Sequence, residues 1–198
     1  HYDQDKKWLK DSIDKTAVLG SPDLVTIFPE SSLGINPDTP NNWISGFIRK
    51  NENKFFNSLK YDGYIYDKKI LVPFGEYVPF SNILVKYFPN KSFMQSSLSK
   101  GKNEQEFPSN ITPLICYEVI FPSFVRSGVS KETDLLVNIS NDAWFGKFSG
   151  PKQHFVQAWF RSVELGIPMA RSSNRGFSGL INPIGKIVYE TSSDKNIY

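Results

Sequence analysis

Residues 111–145 read ITPLICYEVIFPSFVRSGVSKETDLLVNISNDAWF, and this stretch decides the fold class. Ile111–Cys116 is a short apolar run of the kind that forms a buried strand. Glu118–Ser127 continues from it as a turn and helix. Asp134–Ile139 (DLLVNI) carries the strongest strand signal in the chain, with four β-branched or leucine side chains in succession around one asparagine. Strands alternating with helices indicate an α/β domain.

Upstream, Leu24–Phe28 is an apolar run ending at Pro29-Glu30, which reads as a buried strand whose end delivers Glu30. Asn41–Leu59 is expected to be helical at least in part. Tyr64–Val72 (YIYDKKILV) is strand-like around a polar centre of Asp67, Lys68 and Lys69. Residues 5–18 place Trp8, Leu9, Ile13 and Val18 near helical spacing, with Gly20 as a stop. Downstream, residues 151–166 put Phe155, Val156, Trp159, Phe160 and Val163 on one expected helical face, and Pro151 suits its first turn. Met169–Ser172, Phe177–Asn182 and Lys186–Tyr189 read as strands separated by Gly and Pro turns, an antiparallel addition. That pattern, with no G-x-G-x-x-G, excludes a simple all-parallel dinucleotide-binding fold.

Composition narrows the function classes. The 198 residues suit one domain, and 39% hydrophobic against 22% charged residues is an ordinary globular balance. The net charge of +3 is small and scattered, which argues against nucleic-acid binding and allows only weak attraction to an anionic lipid surface. No run approaches the ~20 apolar residues that span a bilayer. Aromatics reach 15%, enough to supply an apolar pocket or a membrane-facing rim besides the core. A single cysteine, Cys116, rules out an internal disulfide and stands in no metal-ligand spacing. The chain opens at His1 rather than Met and reads as a piece of a longer protein.

Three apolar segments run into residues capable of acid–base or nucleophilic work: Phe28-Pro29-Glu30, Tyr66-Asp67-Lys68 and Ile115-Cys116. Sheets of α/β proteins place ligands outside the carboxyl ends of their strands, so the three can converge. A cysteine reacts as its thiolate and gains from a base and a nearby cation. Glu30 can take and return the proton, and Lys68 can stabilise first the thiolate and then an oxyanion. Taken singly, Glu30 could be a helix-capping carboxylate, Lys68 a solvated surface charge and Glu118 a first-turn helix carboxylate. A Cys–His pair is the rival arrangement, with only His1 and His154 to supply it.

Glu30, Lys68 and Cys116, in that order, resemble the Glu-Lys-Cys triad of the nitrilase (carbon–nitrogen hydrolase) superfamily. FPESS (28–32), YDKKILVPFGEYVPF (66–80), ICYEVIFP (115–122), NISNDAWFG (138–146) and the run 150–188 are similar, more narrowly, to the extracytoplasmic domain of the apolipoprotein N-acyltransferase family. The resemblance implies a four-layer αββα sandwich over residues 1–198, incomplete at both ends and lacking a transmembrane bundle. It implies an acyltransferase that moves a fatty acyl chain from a phospholipid, through a thioester on Cys116, to the N-terminal amine of a diacylglyceryl-cysteine lipoprotein. Glu30 would be the general base, with Lys68 and the Tyr117 backbone N–H holding the oxyanion. Glu76 and Glu118 would orient Lys68 and the acyl acceptor, and Trp8 and Trp144 would belong to the substrate region. No cofactor and no metal are implied. The implied location is the periplasmic face of the bacterial inner membrane, with residues 77–94, through Phe88, Phe93 and Met94, as a lipid-facing arm. A soluble amidase with the same triad and a non-catalytic remnant are the alternatives. Three features depart from the family pattern: the missing bundle, first strand and final segment after Tyr198, a short segment between Glu30 and Lys68, and Ile70 where histidine is common. Lys69 is the neighbouring alternative to Lys68, whose spacing to PFGE fits better.

Overall fold

The computed structural model describes residues 24–80, 97–146 and 149–191. The expected helix over 5–18 with Trp8, and the arm residues Phe88, Phe93 and Met94, lie outside the described residues. Strands β5 (Ile111–Ile115), β6 (Leu135–Asn141), β7 (Met169–Asn174), β8 (Ser178–Ile181) and β9 (Ile187–Thr191) form one sheet in sequence order. Its first three strands pair in parallel and its last three antiparallel, which gives the mixed character expected from the closely spaced late strands.

β6 is buried on both faces, its apolar residues interrupted by Asn138 and Ser140. Leu136 joins Leu114, Met169 and Ile181 against helix α1 (Pro122–Ser127) and helix α2 (Gly150–Leu165), through Val125, Phe155 and Ala158. Val137 and Ile139 point the other way, toward Ile44, Leu59 and Tyr66 of the second sheet. Each such side chain, fully buried, is worth roughly 1.5–3 kcal/mol. Among the described residues both α-helices lie on the outer face of the β5–β9 sheet, so the layers run sheet, sheet, helix: an α/β sandwich.

The second sheet holds β1 (Thr26–Ile27), β2 (Trp43–Asn51), β3 (Lys54–Tyr61) and β4 (Tyr64–Asp67), in that order. The expectation of helix within Asn41–Leu59 is therefore wrong. β2 and β3 pair antiparallel from Ser45↔Lys60 to Asn51↔Lys54, closed by a two-residue turn with Glu52 at φ 52°. The residues responsible are aromatic and β-branched, and their burial against the other sheet overrides a spacing that also fits a helix. β3 and β4 join through Asp62-Gly63, with φ of 49° and 79°, a turn that matches strand twist. The short segment between Glu30 and Lys68 thus holds three strands, with no helix. β4 stops at Asp67, so Lys68–Val72 is not strand as expected.

Close approach of the two sheets requires Gly46. A methyl group there would sit 2.3 Å from the Pro29 carbonyl oxygen and 2.8 Å from Ile139 Cδ1. The expected face of α2 also needs correction. Phe155 is buried, but Val156, Phe160 and Val163 are exposed, and the inner face is completed by His154, Ala158, Arg161 and Ser162. His154 on that face reaches the site described next, while Ser162 bonds the Ile167 and Asn182 carbonyls and Arg161 pairs with Glu164, so hydrophobicity alone pointed to the wrong stripe.

Candidate active site

Glu30, Lys68 and Cys116 come from three separate segments and meet at one cavity of about 700 Å³, each more than nine-tenths buried. Glu30 follows β1 and is held on both oxygens. Oε1 accepts from Asn57 Nδ2 (2.6 Å) and Lys68 Nζ (3.3 Å), and Oε2 accepts from the Asn141 backbone N–H (2.7 Å). Lys68 follows β4, its own N–H donating to the Asn57 carbonyl at 2.8 Å. Its ammonium also donates to Glu76 Oε1 at 2.9 Å, and the Asn57 amide bridges to the same oxygen at 2.8 Å. Glu76 is fixed in turn through Oε2 by the Val72 N–H at 2.8 Å. Lys69 stays outside this cluster, its Nζ 5.4 Å from the Tyr66 ring centroid, so Lys68 is the lysine that the two carboxylates hold.

Cys116 directly follows β5 and opens a 3-10 turn, Cys116–Ile120, with φ at 50°. A non-glycine residue in that left-handed region costs on the order of 1–2 kcal/mol, and here it is held by its neighbours. Glu118 Oε2 accepts from the Ile115 N–H at 2.8 Å, pinning the residue before it. The His154 Nε2 lies 3.2 Å from the Cys116 carbonyl oxygen, pinning the residue itself.

Glu118 is fully buried, and its other oxygen accepts from the Lys69 N–H (2.6 Å), the Ile70 N–H (3.2 Å) and the Tyr66 hydroxyl (3.0 Å). It therefore holds the backbone that follows Lys68. Tyr117 and Trp144 line the cavity with the triad, Trp144 being 77% exposed at its mouth.

Burial is the largest influence on the charges. It pushes the Cys116 thiol up, Glu30 pushes it further, and Lys68 and Ser140 only partly offset this, leaving it at about 12. The resting cysteine is a neutral thiol. Burial alone would lower Lys68, but Glu30, Cys116 and Glu76 outweigh it, and the ammonium is held above its ordinary range. Burial raises Glu118 to about 7 against the pull of its backbone donors and Lys68. Burial followed by the Glu118 charge raises the Tyr66 hydroxyl well above its usual value.

Behind Cys116 lies a polar cluster that hydrophobic patterning did not reveal. Asp142 Oδ1 accepts from Ser140 Oγ (2.7 Å) and faces His154 Nδ1 (2.8 Å), while Oδ2 accepts from Arg171 Nη2 (2.8 Å) and Ser173 Oγ (2.9 Å). Burial would raise Asp142, yet the His154 and Arg171 contacts hold it well below the usual carboxylate range. Arg171 also donates to Asn138 Oδ1 and lies 3.2 Å from His154 Nδ1. His154 thus presents neither ring nitrogen to the thiol, which removes the Cys–His alternative. Asn57, Asp142 and Arg171 were missed; the readable signal was polar Asn138 and Ser140 inside the buried run of β6.

A thiol, a carboxylate able to take its proton, an ammonium and an apolar cavity form a set suited to acyl transfer through a thioester. Among the described residues no group of three or more His, Cys, Asp or Glu could hold a metal, and no helix is long and apolar enough to cross a membrane.

The model of the carbon–nitrogen hydrolase family matches residues 24–197. The chain is 43% identical over 147 residues to the apolipoprotein N-acyltransferase of Rickettsia prowazekii, covering 71% of this chain and 27% of that protein. It is 38% identical over 162 residues to the apolipoprotein N-acyltransferase of Photobacterium profundum, covering 73% of this chain and 31% of that protein. The chain thus spans less than a third of these relatives' length. Among solved structures, Nit3 of Saccharomyces cerevisiae, a member of the nitrilase superfamily, matches with a TM-score of 0.64 at 16% identity, covering 96% of this chain and 81% of that one. With the family model spanning nearly all of the sheets and the site, the chain belongs to the carbon–nitrogen hydrolase family.

Proposed function

We propose that this chain is the catalytic domain of an N-acyltransferase that takes a fatty acyl group from a phospholipid onto Cys116 and passes it to the N-terminal amine of a diacylglyceryl-cysteine lipoprotein. The observation that carries the reading is the cavity itself. Its reactive groups sit beside apolar walls from Ile48, Phe55, Val72, Leu98 and Phe145, which suit an acyl chain better than a small polar amide. The named relatives support the same reaction.

Glu30 accepts the Cys116 proton as sulfur attacks the ester carbonyl, since the thiol is neutral at rest. Lys68 and the Tyr117 N–H stabilise the oxyanion. Glu30 then returns the proton to the departing alkoxide, releasing a lysophospholipid and leaving a thioester. In the second half, the acceptor amine attacks the thioester carbonyl. Glu30 takes a proton from the attacking nitrogen and returns one to the departing thiolate, so that the products are an amide and the resting thiol. Glu76 and Asn57 hold Lys68 and Glu30 in place, and Glu118 fixes the backbone after Lys68. Exposed Trp144 among the cavity residues, and exposed Phe74 between the cavity residues Val72 and Gly75, support a site that faces a membrane surface; the periplasmic side of the inner membrane is what the family resemblance implies.

The test supplies the full-length protein with a phospholipid and a diacylglyceryl-cysteine peptide in detergent. The reading expects an N-acylated peptide whose new bond resists hydroxylamine. Free fatty acid with an unmodified peptide would make water the acceptor and favour the hydrolase instead.

A further inference from the structure

The ring of His154 is buried, and its nitrogens span 2.8 Å to Asp142 and 3.2 Å to the carbonyl oxygen of Cys116. That carbonyl belongs to the same peptide unit as the Tyr117 N–H. A trans peptide is planar and carries its C=O and N–H on opposite sides, so fixing the oxygen fixes the direction of the hydrogen. The Tyr117 N–H also lies in the first turn of the Cys116–Ile120 helix, where N–H groups lack a partner within the helix. An unclamped left-handed residue would be free to relax, rotating this peptide plane.

We propose that His154 is a positioning residue: it anchors the Cys116 carbonyl so that the Tyr117 N–H is aimed at the developing oxyanion. Asp142 is its anchor, held in turn by Arg171, Ser140 and Ser173. A hydrogen bond accepted by the carbonyl also polarises the peptide and strengthens its N–H as a donor. The inference rests on the reading of Cys116 as the acylated nucleophile. It gives α2, which carries His154, a task at the site beyond packing against the sheet.

Two substitutions separate the two nitrogens. In His154→Gln the side-chain amide can reach the place of Nε2 and keep the carbonyl clamp. In His154→Asn the shorter amide reaches only as far as Nδ1, keeping the Asp142 contact and losing the clamp. Two reactions of Cys116 in the full-length protein then separate positioning from structure. Acylation by p-nitrophenyl hexanoate, followed as the p-nitrophenolate burst, passes through an oxyanion. Alkylation by iodoacetamide does not.

For His154→Asn the burst rate is expected to fall on the order of 100-fold at unchanged KM, the effect of losing one oxyanion donor, with alkylation within about threefold of the parent. For His154→Gln the burst is expected to stay within about tenfold of the parent. A burst rate in His154→Asn equal to the parent, or an equal loss in both reactions, overturns the proposal. A parent protein that is alkylated at Cys116 but never acylated overturns the underlying reading, and the inference with it.

Discussion

Replacing Lys68 by methionine, a side chain of nearly the same volume, removes the ammonium and leaves buried Glu30 and partly buried Glu76 facing each other. Glu30 Oε1 and Glu76 Oε1 lie 3.3 and 2.9 Å from Lys68 Nζ. The same oxygens lie 2.6 and 2.8 Å from Asn57 Nδ2, which would remain as their common donor. Two carboxylates about 5 Å apart repel by about 3 kcal/mol at an effective dielectric near 20. Breaking a buried ion pair by removing one partner costs about 3–5 kcal/mol, in the same range. Lys68→Met is therefore expected to lose about 3–5 kcal/mol at pH 8. Repulsion raises the folded-state pKa of one carboxylate in the variant, so its neutral form is favoured by folding. The deficit should then shrink as pH falls toward 5, where that carboxyl takes up a proton. Urea unfolding followed by tryptophan fluorescence reads this, since Trp43 is buried. Adding Glu76→Gln removes one of the two charges and should recover at least part of the loss. A deficit below about 1 kcal/mol at pH 8, or one independent of pH, would refute the reasoning.

With the Cys116 thiol raised to about 12, its alkylation by iodoacetamide should rise about tenfold per pH unit through pH 9, because only the thiolate reacts. A plateau near pH 8.5, where an ordinary cysteine titrates, would contradict the burial argument. Glu118 rises from 4.5 to about 7 on folding, so its contribution to stability is greatest below pH 4.5, declines as pH rises toward 7 and is constant above. The stability difference between parent and Glu118→Gln should therefore change by about 3 kcal/mol between pH 4.5 and 8, in the direction that favours the parent in acid; a flat difference would count against it. Gly46→Ala is expected to cost roughly 1–3 kcal/mol and to slow acylation, because the added methyl meets Pro29 and sits 2.7 Å from Glu30 Cα. Parent-like acylation by that variant would show that Glu30 does not depend on this close approach.

The β5–β9 sheet was legible in the sequence through the clustered apolar residues of β5 and β6 (Leu114, Ile115, Leu136, Val137 and Ile139, all buried) and through the Gly and Pro turns that separate β7, β8 and β9. The β2–β3 hairpin was not legible. Its turn, Glu52-Asn53, lacks glycine, and its residues also fit a helical spacing. Asp62-Gly63 was a readable hairpin signal that would have paired Tyr64–Asp67 with the preceding segment. At the site, the reactive residues announced themselves as charged or nucleophilic groups at the ends of apolar runs. Asn57 could not, because an amide inside a strand gives no hint that it bridges two carboxylates contributed by other loops. Nor could Asp142, His154 and Arg171, whose roles depend on three elements packing behind Cys116.

The measurement that bears most directly on the central claim is the intact mass of the full-length protein after incubation with phospholipid in detergent micelles, with Cys116→Ser alongside. The account predicts a fatty-acyl mass increment on the parent that hydroxylamine removes and that the serine variant does not form as a hydroxylamine-labile adduct. No increment on a folded parent, or an equal and equally labile increment on Cys116→Ser, would contradict it.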